Sequence, residues 1–174
     1  MQPANAMEAE TNATAWDDAG NLEVLTFDLG EETFAVEAML VREILDLLPE
    51  TRVPGAPALV HSVVNFRGKI IPIADLRLAF GMTQAGVTVD SRIVVIEIPL
   101  AGEPTQIGIR TDKVHEVTTL QQSASEPPPA VGMRWRRDFV RELVRRPTGV
   151  VVLPDLATIF AAHGGETPRV AAAA

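Results

Sequence analysis

The polar residues of this 174-residue chain offer little for catalysis. Its three histidines are His61, His115 and His163, and no two of them fall at the spacing of metal ligands. Cysteine is absent, which excludes a thiolate nucleophile, a disulfide framework and a zinc–thiolate cluster. The sequence also contains no glycine-rich phosphate loop between strand and helix and no G-x-S-x-G elbow. We therefore expect no enzyme, no metal site and no cofactor.

The best-placed pair of carboxylates is explained by structure rather than by acid–base chemistry. Asp75 and Asp155 each precede a short helical pattern, DLRLAF and DLATIF. A carboxylate at that position favours the positive end of the helix dipole and caps free N–H groups. The two segments belong to an internal repeat, which places the carboxylates in separate units. We expect two helix caps and not a catalytic pair.

A more informative polar site interrupts the apolar run VVNFRGKIIPIADL, residues 63–76. Gly68 suits a tight hairpin turn, because glycine adopts positive φ at little cost. Arg67 is either solvated at the tip, paired with an acid such as Glu43, or directed with five N–H donors at a partner. Asn65, two residues earlier, points to the same face of the strand. A Glu43–Arg67 pair and a docking role are compatible, since the pair would position the guanidinium.

Most of the elements that position these residues are predicted to be short strands. Alternating or β-branched apolar runs predict strands at 25–29, 33–36, 59–65, 69–73, 93–98, 106–109, 139–144 and 149–153. Leu40, Ile44 and Leu48 recur every four residues, so the pattern also allows a short helix or helical turn in this segment, ended by Pro49.

The two halves of the chain repeat one design. GKIIPIADLRLAF (68–80) aligns with TGVVVLPDLATIF (148–160), and Val41–Ile44 recurs as Val114–Val117. This is an internal repeat of roughly 75 residues, each copy carrying about five short strands. Closing a small sheet into a barrel removes its exposed edges. We predict a mainly β fold of two linked five-stranded barrels with a few short helices.

The ends of the chain differ in composition from its middle. Residues 1–22 are predicted to be a flexible arm and residues 164–174 a flexible tail. The folded part then spans 23–163, divided at about residue 90 into barrels of approximately 23–90 and 91–163, with exchange of strands between them left open.

Composition limits the class of partner. The chain is 47% hydrophobic with a net charge of −8, so it can bury a core but lacks the positive charge for gripping a phosphate backbone. No apolar run approaches the ~18 residues of a membrane helix, and the first residues lack the pattern of a signal peptide. A cytoplasmic protein is the expectation.

Five motifs together resemble one family. They are F-x-L-G-x-E-x-F-A-V (27–36), V-x-E-I-L (41–45), V-P-x-A-P (53–57), N-F-R-G-K-I-I-P-I-x-D-L-R (65–77) and D-K-V-x-E-V (112–117). Over roughly residues 23–161 the chain is similar to the CheW family. The resemblance implies two intertwined, five-stranded SH3-like barrels. It also implies a non-catalytic adaptor that couples chemoreceptors to the histidine kinase CheA and is recruited to receptor arrays at the inner membrane by these partners.

The resemblance also implies binding surfaces. Motif positions at or near the groove that grips the tip of the receptor hairpin are Val36, Val41, Glu43, Asn65, Arg67 and Gly68. The first barrel is expected to meet the regulatory domain of CheA through an apolar centre with a charged rim. Ser62 and Glu142 stand where the family usually has glycine, and their side chains could close part of the groove or alter partner choice.

One stretch exceeds the family pattern. MRWRRDFVRELVRR (133–146) contains six arginines and Trp135. It is either a solvated edge strand or helix face, a docking surface for an acidic partner, or a site for single-stranded nucleic acid. The net charge and the scarcity of aromatic residues count against nucleic acid, which we keep as the alternative function. A self-assembling structural barrel is a third class.

Overall fold

The computed structural model describes residues 14–83, 86–132 and 135–163, which form twelve strands and two α-helices. The strands are β1 (Asn21–Leu29), β2 (Glu32–Glu37), β3 (Val41–Asp46), β4 (Thr51–Arg52), β5 (Ser62–Phe66), β6 (Lys69–Ala74), β7 (Arg92–Leu100), β8 (Glu103–Thr111), β9 (Lys113–Gln121), β10 (Ser125–Glu126), β11 (Val140–Arg146) and β12 (Gly149–Pro154). The helices are α1 (Leu76–Ala79) and α2 (Leu156–Ala162), and short 3₁₀ turns lie at Ala38–Leu40, Ala58–Val60, Gln122–Ala124 and Arg137–Phe139.

The strands form two curled sheets. Sheet A has the order β10-β11-β12-β2-β1-β9, and sheet B has the order β4-β5-β6-β8-β7-β3. Each sheet has five strands of at least five residues and one two-residue strand, β10 or β4. The predicted mainly β fold of two SH3-like barrels with a few short helices is confirmed, with a short sixth strand in each.

The internal repeat appears as an exchange of hairpins. The two sheet orders match strand by strand when β1 to β6 are set against β7 to β12. Nevertheless the β1–β2 hairpin lies in the sheet of β9 to β12, and the β7–β8 hairpin lies in the sheet of β3 to β6. Both hairpins attach by parallel pairs, β12 with β2 and β6 with β8. Each copy of the repeat therefore completes the sheet of the other, and neither sheet comes from one half of the sequence.

The first strand of each hairpin is buried on both faces. In β7, Ile93 and Val95 enter the core of sheet B, whereas the alternate residues Val94 and Ile96 enter a central core between the sheets. In β1, Leu22 and Val24 enter the core of sheet A, whereas Leu25, Phe27 and Leu29, on the opposite face of the strand, enter the central core. Burial on two faces explains why these strands are nearly continuous apolar runs.

Both predicted helix caps are present. The Asp75 carboxylate accepts a hydrogen bond from Arg77 N at 3.1 Å, and the Asp155 carboxylate accepts one from Thr158 N at 3.0 Å. These bonds satisfy backbone donors that have no partner within the first turn of a helix.

The possible helix from Leu40 to Leu48 is wrong. A 3₁₀ turn ends at Leu40, and β3 follows, paired antiparallel with β7. The four-residue spacing does not mark a buried face, because Ile44 is 47% exposed whereas Leu45 is 8% exposed. Pairing along the edge of sheet B overrides the local helical pattern.

The described chain begins before the first strand. Trp16 packs against the core of sheet A, and its Nε1 donates a hydrogen bond to Glu142 Oε2 at 3.1 Å. The Asp17 carboxylate accepts from Ala19 N and Asn21 N, which fixes the turn into β1. The remainder of the predicted arm, residues 1–13, and the tail from 164 lie outside the described residues.

A buried arginine ties the two sheets together. Arg77 on α1 is 2% exposed and lies 3.6 Å from Asp75 (Nη1 to Oδ1), and its Nη2 donates to Asp112 Oδ1. Asp112 stands between β8 of sheet B and β9 of sheet A, and its other oxygen accepts from Gly30 N at 2.6 Å. One guanidinium thus connects α1, the junction between the sheets and the β1–β2 turn.

Replacing Arg77 with alanine should lower the free energy of unfolding by about 3–5 kcal/mol, because it leaves the buried Asp75 carboxylate and the partly buried Asp112 carboxylate without a counter-ion. Urea denaturation measures the change. Arg67→Ala is the matched control, since Arg67 is 78% exposed at the side chain and its surface ion pair is worth at most about 1 kcal/mol. Equal losses in the two variants would contradict the connecting role.

Candidate partner-binding surfaces

The β5–β6 hairpin presents Arg67 to solvent. Arg67 and Gly68 form a two-residue turn with φ of 52° and 78°. Asn65 Oδ1 accepts a hydrogen bond from Gly68 N at 3.0 Å, so a side chain of the same hairpin satisfies this backbone donor. The Arg67 guanidinium carbon lies 4.6 Å from the centroid of the Phe66 ring, a cation–π contact that orients the side chain. The tip therefore presents a largely exposed guanidinium that Phe66 holds in place.

The backbone of Arg67 is strained. Glycine takes positive φ freely, but for arginine this region costs roughly 1–2 kcal/mol. Asparagine and aspartate are the residues usually found at the first position of such a turn. The prediction that Gly68 supplies positive φ is confirmed, and the strain at its neighbour was not visible in the sequence. The β7–β8 turn has the same backbone at Ala101 and Gly102, with φ of 51° and 79°, so positive φ alone does not set Arg67 apart; its exposed and oriented guanidinium does.

The structure brings Glu43 to the hairpin tip. Glu43 Oε1 lies 3.9 Å from Arg67 Nη1, and both side chains are largely exposed, so the pair is weak and leaves most donors free. Val41, at the start of the same strand, is partly buried against the central core. Val36 is 1% exposed and belongs to the central core, so its side chain supports this region from inside.

An apolar groove opens where the two sheets meet, and we call it the inter-sheet groove. It has a volume of about 220 Å³ and is lined by Ala15, Glu37, Met39, Leu40, Ile98, Pro99, Arg141, Pro154, Asp155, Leu156 and Ala157. Its walls come from the ends of β2, β7 and β12 and the start of α2. Met39 is 75% exposed at its rim. Strand β3 links the groove to the hairpin tip. Val41 at its start follows Leu40 of the groove, and Glu43 lies beside Arg67.

Two ion pairs frame the groove. Within it, Arg141 Nη1 lies 2.6 Å from Glu37 Oε1, with both side chains nearly buried. Outside the rim, Arg42 donates to Met39 O at 2.9 Å and to Glu97 Oε2 at 3.2 Å. The Arg42 guanidinium, and secondarily the Gln106 amide, lower the pKa of the Glu97 carboxyl.

The groove has a closed counterpart on the opposite side of the molecule. In the repeat, Ala157 is equivalent to Arg77, and Met39, two residues before Val41, is equivalent to Asp112. At one junction of the sheets the Arg77–Asp112 pair fills the space. At the other, alanine and an exposed methionine leave it open. The groove therefore exists because the two copies of the repeat differ at these positions.

Each sheet also exposes a pair of aliphatic residues. Ile44 on β3 and Ile70 on β6 are 47% and 43% exposed on sheet B. Their repeat equivalents, Val117 on β9 and Val150 on β12, are 54% and 48% exposed on sheet A. On most protein surfaces, exposed aliphatic residues are single and scattered, whereas these lie at equivalent positions in both copies of the repeat.

Ser62 and Glu142, at positions where the family resemblance leads us to expect glycine, both have hydrogen-bond partners within the chain. Ser62 is 3% exposed, and its hydroxyl donates to Glu50 Oε2 at 3.2 Å. Glu50 in turn pairs with Arg110 on β8. Glu142, the repeat equivalent of Ser62, accepts from Trp16. Neither residue lines the inter-sheet groove.

Most of the described arginines of the 133–146 stretch are engaged inside the molecule. Arg136 pairs with Asp138 and stacks on the Phe139 ring at 4.5 Å, and it lowers the pKa of the Asp138 carboxyl. Arg137 Nε donates to Pro128 O at 3.1 Å, and Arg141 pairs with Glu37. Residues 140–146 form β11 and not a helix. The described part of the stretch therefore contributes to the fold. Met133 and Arg134 lie outside the described residues.

Within the described ranges, no cluster of three or more His, Asp or Glu residues could hold a metal ion. Among the helices of that same part of the chain, none has the length and apolar character needed to cross a membrane.

Comparisons with known proteins agree on one family. The model of the CheW-like domain family matches residues 23–163. The chemotaxis protein CheW of Rhizobium meliloti is 31% identical over 150 residues, which cover 86% of this chain and 94% of that protein. CheW of Treponema pallidum is 28% identical over 79% of this chain and 81% of that protein.

A solved structure agrees with the fold. The scaffolding protein TtCheW from Thermoanaerobacter tengcongensis superposes with a TM-score of 0.72 at 31% identity, over 84% of this chain and 97% of that one. The family match, the sequence relatives and the shared fold show that this chain belongs to the CheW-like family.

Proposed function

We propose that this protein is a non-catalytic adaptor that couples chemoreceptors to a CheA-type histidine kinase. The relatives bear the name of a chemotaxis protein, and the structural neighbour is called a scaffolding protein. None of those quoted is named for nucleic-acid binding, and most described arginines of the 133–146 stretch already have partners in the chain. The adaptor function is therefore the better supported of the two candidates.

The receptor surface of this proposal is the inter-sheet groove together with the β5–β6 hairpin tip. The tip of a receptor hairpin is a pair of helices, and an amphipathic helix binds by placing its apolar face in a groove. The groove offers apolar walls of suitable chemistry, and β3 leads from it to the free donors of Arg67. Of the residues named from the sequence, Val41, Glu43, Asn65, Arg67 and Gly68 lie on this path, and Val36 supports it from the core.

The single observation that carries the proposal is Arg67. It is an exposed arginine held at positive φ, braced by Phe66 and only loosely paired with Glu43. Asparagine is the more usual residue at this position of the turn, and the β7–β8 turn of the same geometry carries the small residue Ala101 there. An oriented guanidinium with free donors is the side chain best suited to bind a carboxylate or a backbone carbonyl of a partner.

The kinase surface of this proposal is the exposed face of sheet B around Ile44 and Ile70. A barrel-to-barrel contact needs an apolar centre and a polar rim, and these two residues are the exposed aliphatic side chains of β3 and β6. Both lie on the sheet that also carries the hairpin tip. Sheet B would then carry the kinase contact and the hairpin-tip part of the receptor contact, and through these partners the adaptor would join receptor arrays at the inner membrane.

Arg67→Asn should raise the free energy of unfolding by about 0.5–1 kcal/mol, because asparagine relieves the turn. The same variant should bind a purified receptor hairpin fragment about tenfold more weakly and stimulate the kinase correspondingly less. Urea denaturation, calorimetric titration and receptor-dependent phosphorylation measure the three effects. Arg145→Asn, which removes an exposed arginine of sheet A, is the control. Full coupling by a stabilised Arg67→Asn variant would remove Arg67 from the site.

Ala157→Arg should block the groove, since it restores at the open junction the residue that fills the closed one. We expect receptor affinity to fall by at least tenfold while affinity for the kinase regulatory domain stays unchanged. Calorimetric titration with each partner measures both. Thr158→Arg, one residue further along α2, is the control for added charge. A receptor that binds Ala157→Arg normally would place its site elsewhere.

Ile44→Asp should weaken binding to the kinase regulatory domain by about tenfold or more, because it buries an unpaired charge at an apolar centre. Val117→Asp makes the same change at the equivalent position of sheet A and should leave the one-to-one affinity unchanged. Surface plasmon resonance with the isolated regulatory domain compares them. Equal losses would show that the contact is not confined to sheet B.

A further inference from the structure

Two arginines at the end of the 133–146 stretch have no acidic partner among the described residues. Arg145 is exposed on β11, and Arg146, the last residue of that strand, donates from Nη2 to the hydroxyl of Thr148 at 3.2 Å. These two arginines are the described part of the stretch whose charge the fold leaves unneutralised.

Arg146 differs from the other arginines that are buried at Nε. Its Nε is buried without a hydrogen-bond partner, as are those of Arg77, Arg110 and Arg141. In each of those three the terminal nitrogens pair with a carboxylate, whereas no carboxylate of the described ranges pairs with Arg146. Because a guanidinium withdrawn from water without a counter-ion is costly, an anion from outside the chain would stabilise Arg146.

Both arginines line a polar pocket at the end of sheet A, which we call the β9–β11 pocket. It lies between the edge strand β9 and the turn from β11 to β12, and its volume is about 360 Å³. It shares no lining residue with the inter-sheet groove. Hydroxyl and amide groups lie beside the two guanidiniums, and one carboxylate is also present. The residues that supply these groups are Thr118, Thr119, Thr148, Gln121 and Glu116.

The same place in sheet B is filled by apolar side chains. Arg146 and Phe66 each precede a two-residue hairpin turn, and Phe66 packs against the core of sheet B. Thr118 is the repeat equivalent of Leu45, which belongs to that core. One copy of the repeat has therefore exchanged two apolar side chains for a guanidinium and a hydroxyl, and the pocket exists because of this divergence.

We propose that the β9–β11 pocket binds a small organic phosphate, with Arg146 as the principal counter-ion of the phosphate group. Guanidinium and hydroxyl donors together match the several oxygens of a phosphate. The volume falls in the range of metabolite sites and exceeds the space that a bare phosphate needs. Glu116 opposes the anion, and it accepts a hydrogen bond from a hydroxyl group of the organic part. Because the pocket lies on sheet A, the ligand would leave the proposed receptor and kinase surfaces unoccupied.

NMR titration of the full-length protein tests the site with inorganic phosphate, glucose 6-phosphate and adenosine monophosphate. At a constant ionic strength of about 0.15 M, which screens diffuse attraction, the Arg146 Nε–H resonance and the amide resonances of Thr118 and Thr148 should shift saturably. The Nε–H resonance of the exposed Arg67 is the internal reference and should stay unchanged. Glucose and adenosine, which lack the phosphate, should bind at least tenfold more weakly.

Two results of this titration would overturn the proposal. Shifts that do not saturate, or that are equal at Arg67 and Arg146, would show general attraction of anions and no site. Organic phosphates that bind no more tightly than inorganic phosphate would show a site for the free anion and would overturn the organic ligand.

Variants of the pocket test the role of Arg146. Arg146→Phe installs the residue that sheet B has at this position and should weaken binding of adenosine monophosphate by about tenfold or more, because charged hydrogen bonds are lost. Lys113→Gln removes a positive charge from β9 outside the pocket and should change the affinity by less than about twofold. Equal losses in these two variants would overturn the assignment of Arg146.

A second variant keeps the test valid if Arg146→Phe does not fold, which circular dichroism reports. Glu116→Gln removes the opposing charge from an exposed position and should tighten binding of inorganic phosphate by about twofold or more. An unchanged or weaker affinity for inorganic phosphate in this variant would place the anion outside the β9–β11 pocket.

Discussion

The structure depends on the exchange of its two hairpins. The β1–β2 hairpin closes sheet A, whose other strands follow residue 112, and the β7–β8 hairpin closes sheet B, whose other strands precede residue 75. Because β1 and β7 are buried on both faces, each supplies one barrel core and the central core at once. Neither barrel can unfold alone without exposing the surface of the other. Two lobes linked in this way form a stiff body, which is what an adaptor needs in order to pass a population bias between two partners.

The same exchange creates the junctions at which function becomes possible. The chain passes to the other sheet after each hairpin, at Ala38–Leu40 after β2 and at Asp112 after β8, so each crossing lies at a junction of the two sheets. Arg77 and Asp112 fill one junction with a buried ion pair that needs both partners to be stable. Ala157 and Met39 leave the second junction open and apolar. A duplicated sequence thus gives one closed and one open cleft, through divergence at two pairs of equivalent positions.

The β5–β6 hairpin tip is the other part of the proposed receptor surface. The β5–β6 turn would be more stable with asparagine at position 67, and the arginine there is oriented by Phe66 rather than held by Glu43. The strand that carries Glu43 also borders the groove, so the strained tip and the open cleft form a continuous path along β3. On sheet A the corresponding turn is Pro147–Thr148, which offers no guanidinium. The repeat therefore carries the proposed receptor surface once.

Features that depend on neighbouring residues could be predicted from the amino-acid sequence. Alternating aliphatic residues determined most strands, Asp75 and Asp155 determined two helix caps, and the aligned segments 68–80 and 148–160 determined the duplication. The motif around Arg67 identified the family and the hairpin tip. Local chemistry suffices for these features, because a turn, a cap or a strand face is set by residues a few positions apart.

Features that depend on residues far apart in the chain became visible in the folded protein. It placed β3 where a four-residue spacing had suggested a helix, since pairing with β7 outweighs local preference. It put Val36 in the central core, gave Arg77 its buried partners and turned Trp16 onto Glu142. The groove is lined by five separate segments that the exchange of hairpins brings together, and the residue pattern within any one segment does not predict that they meet.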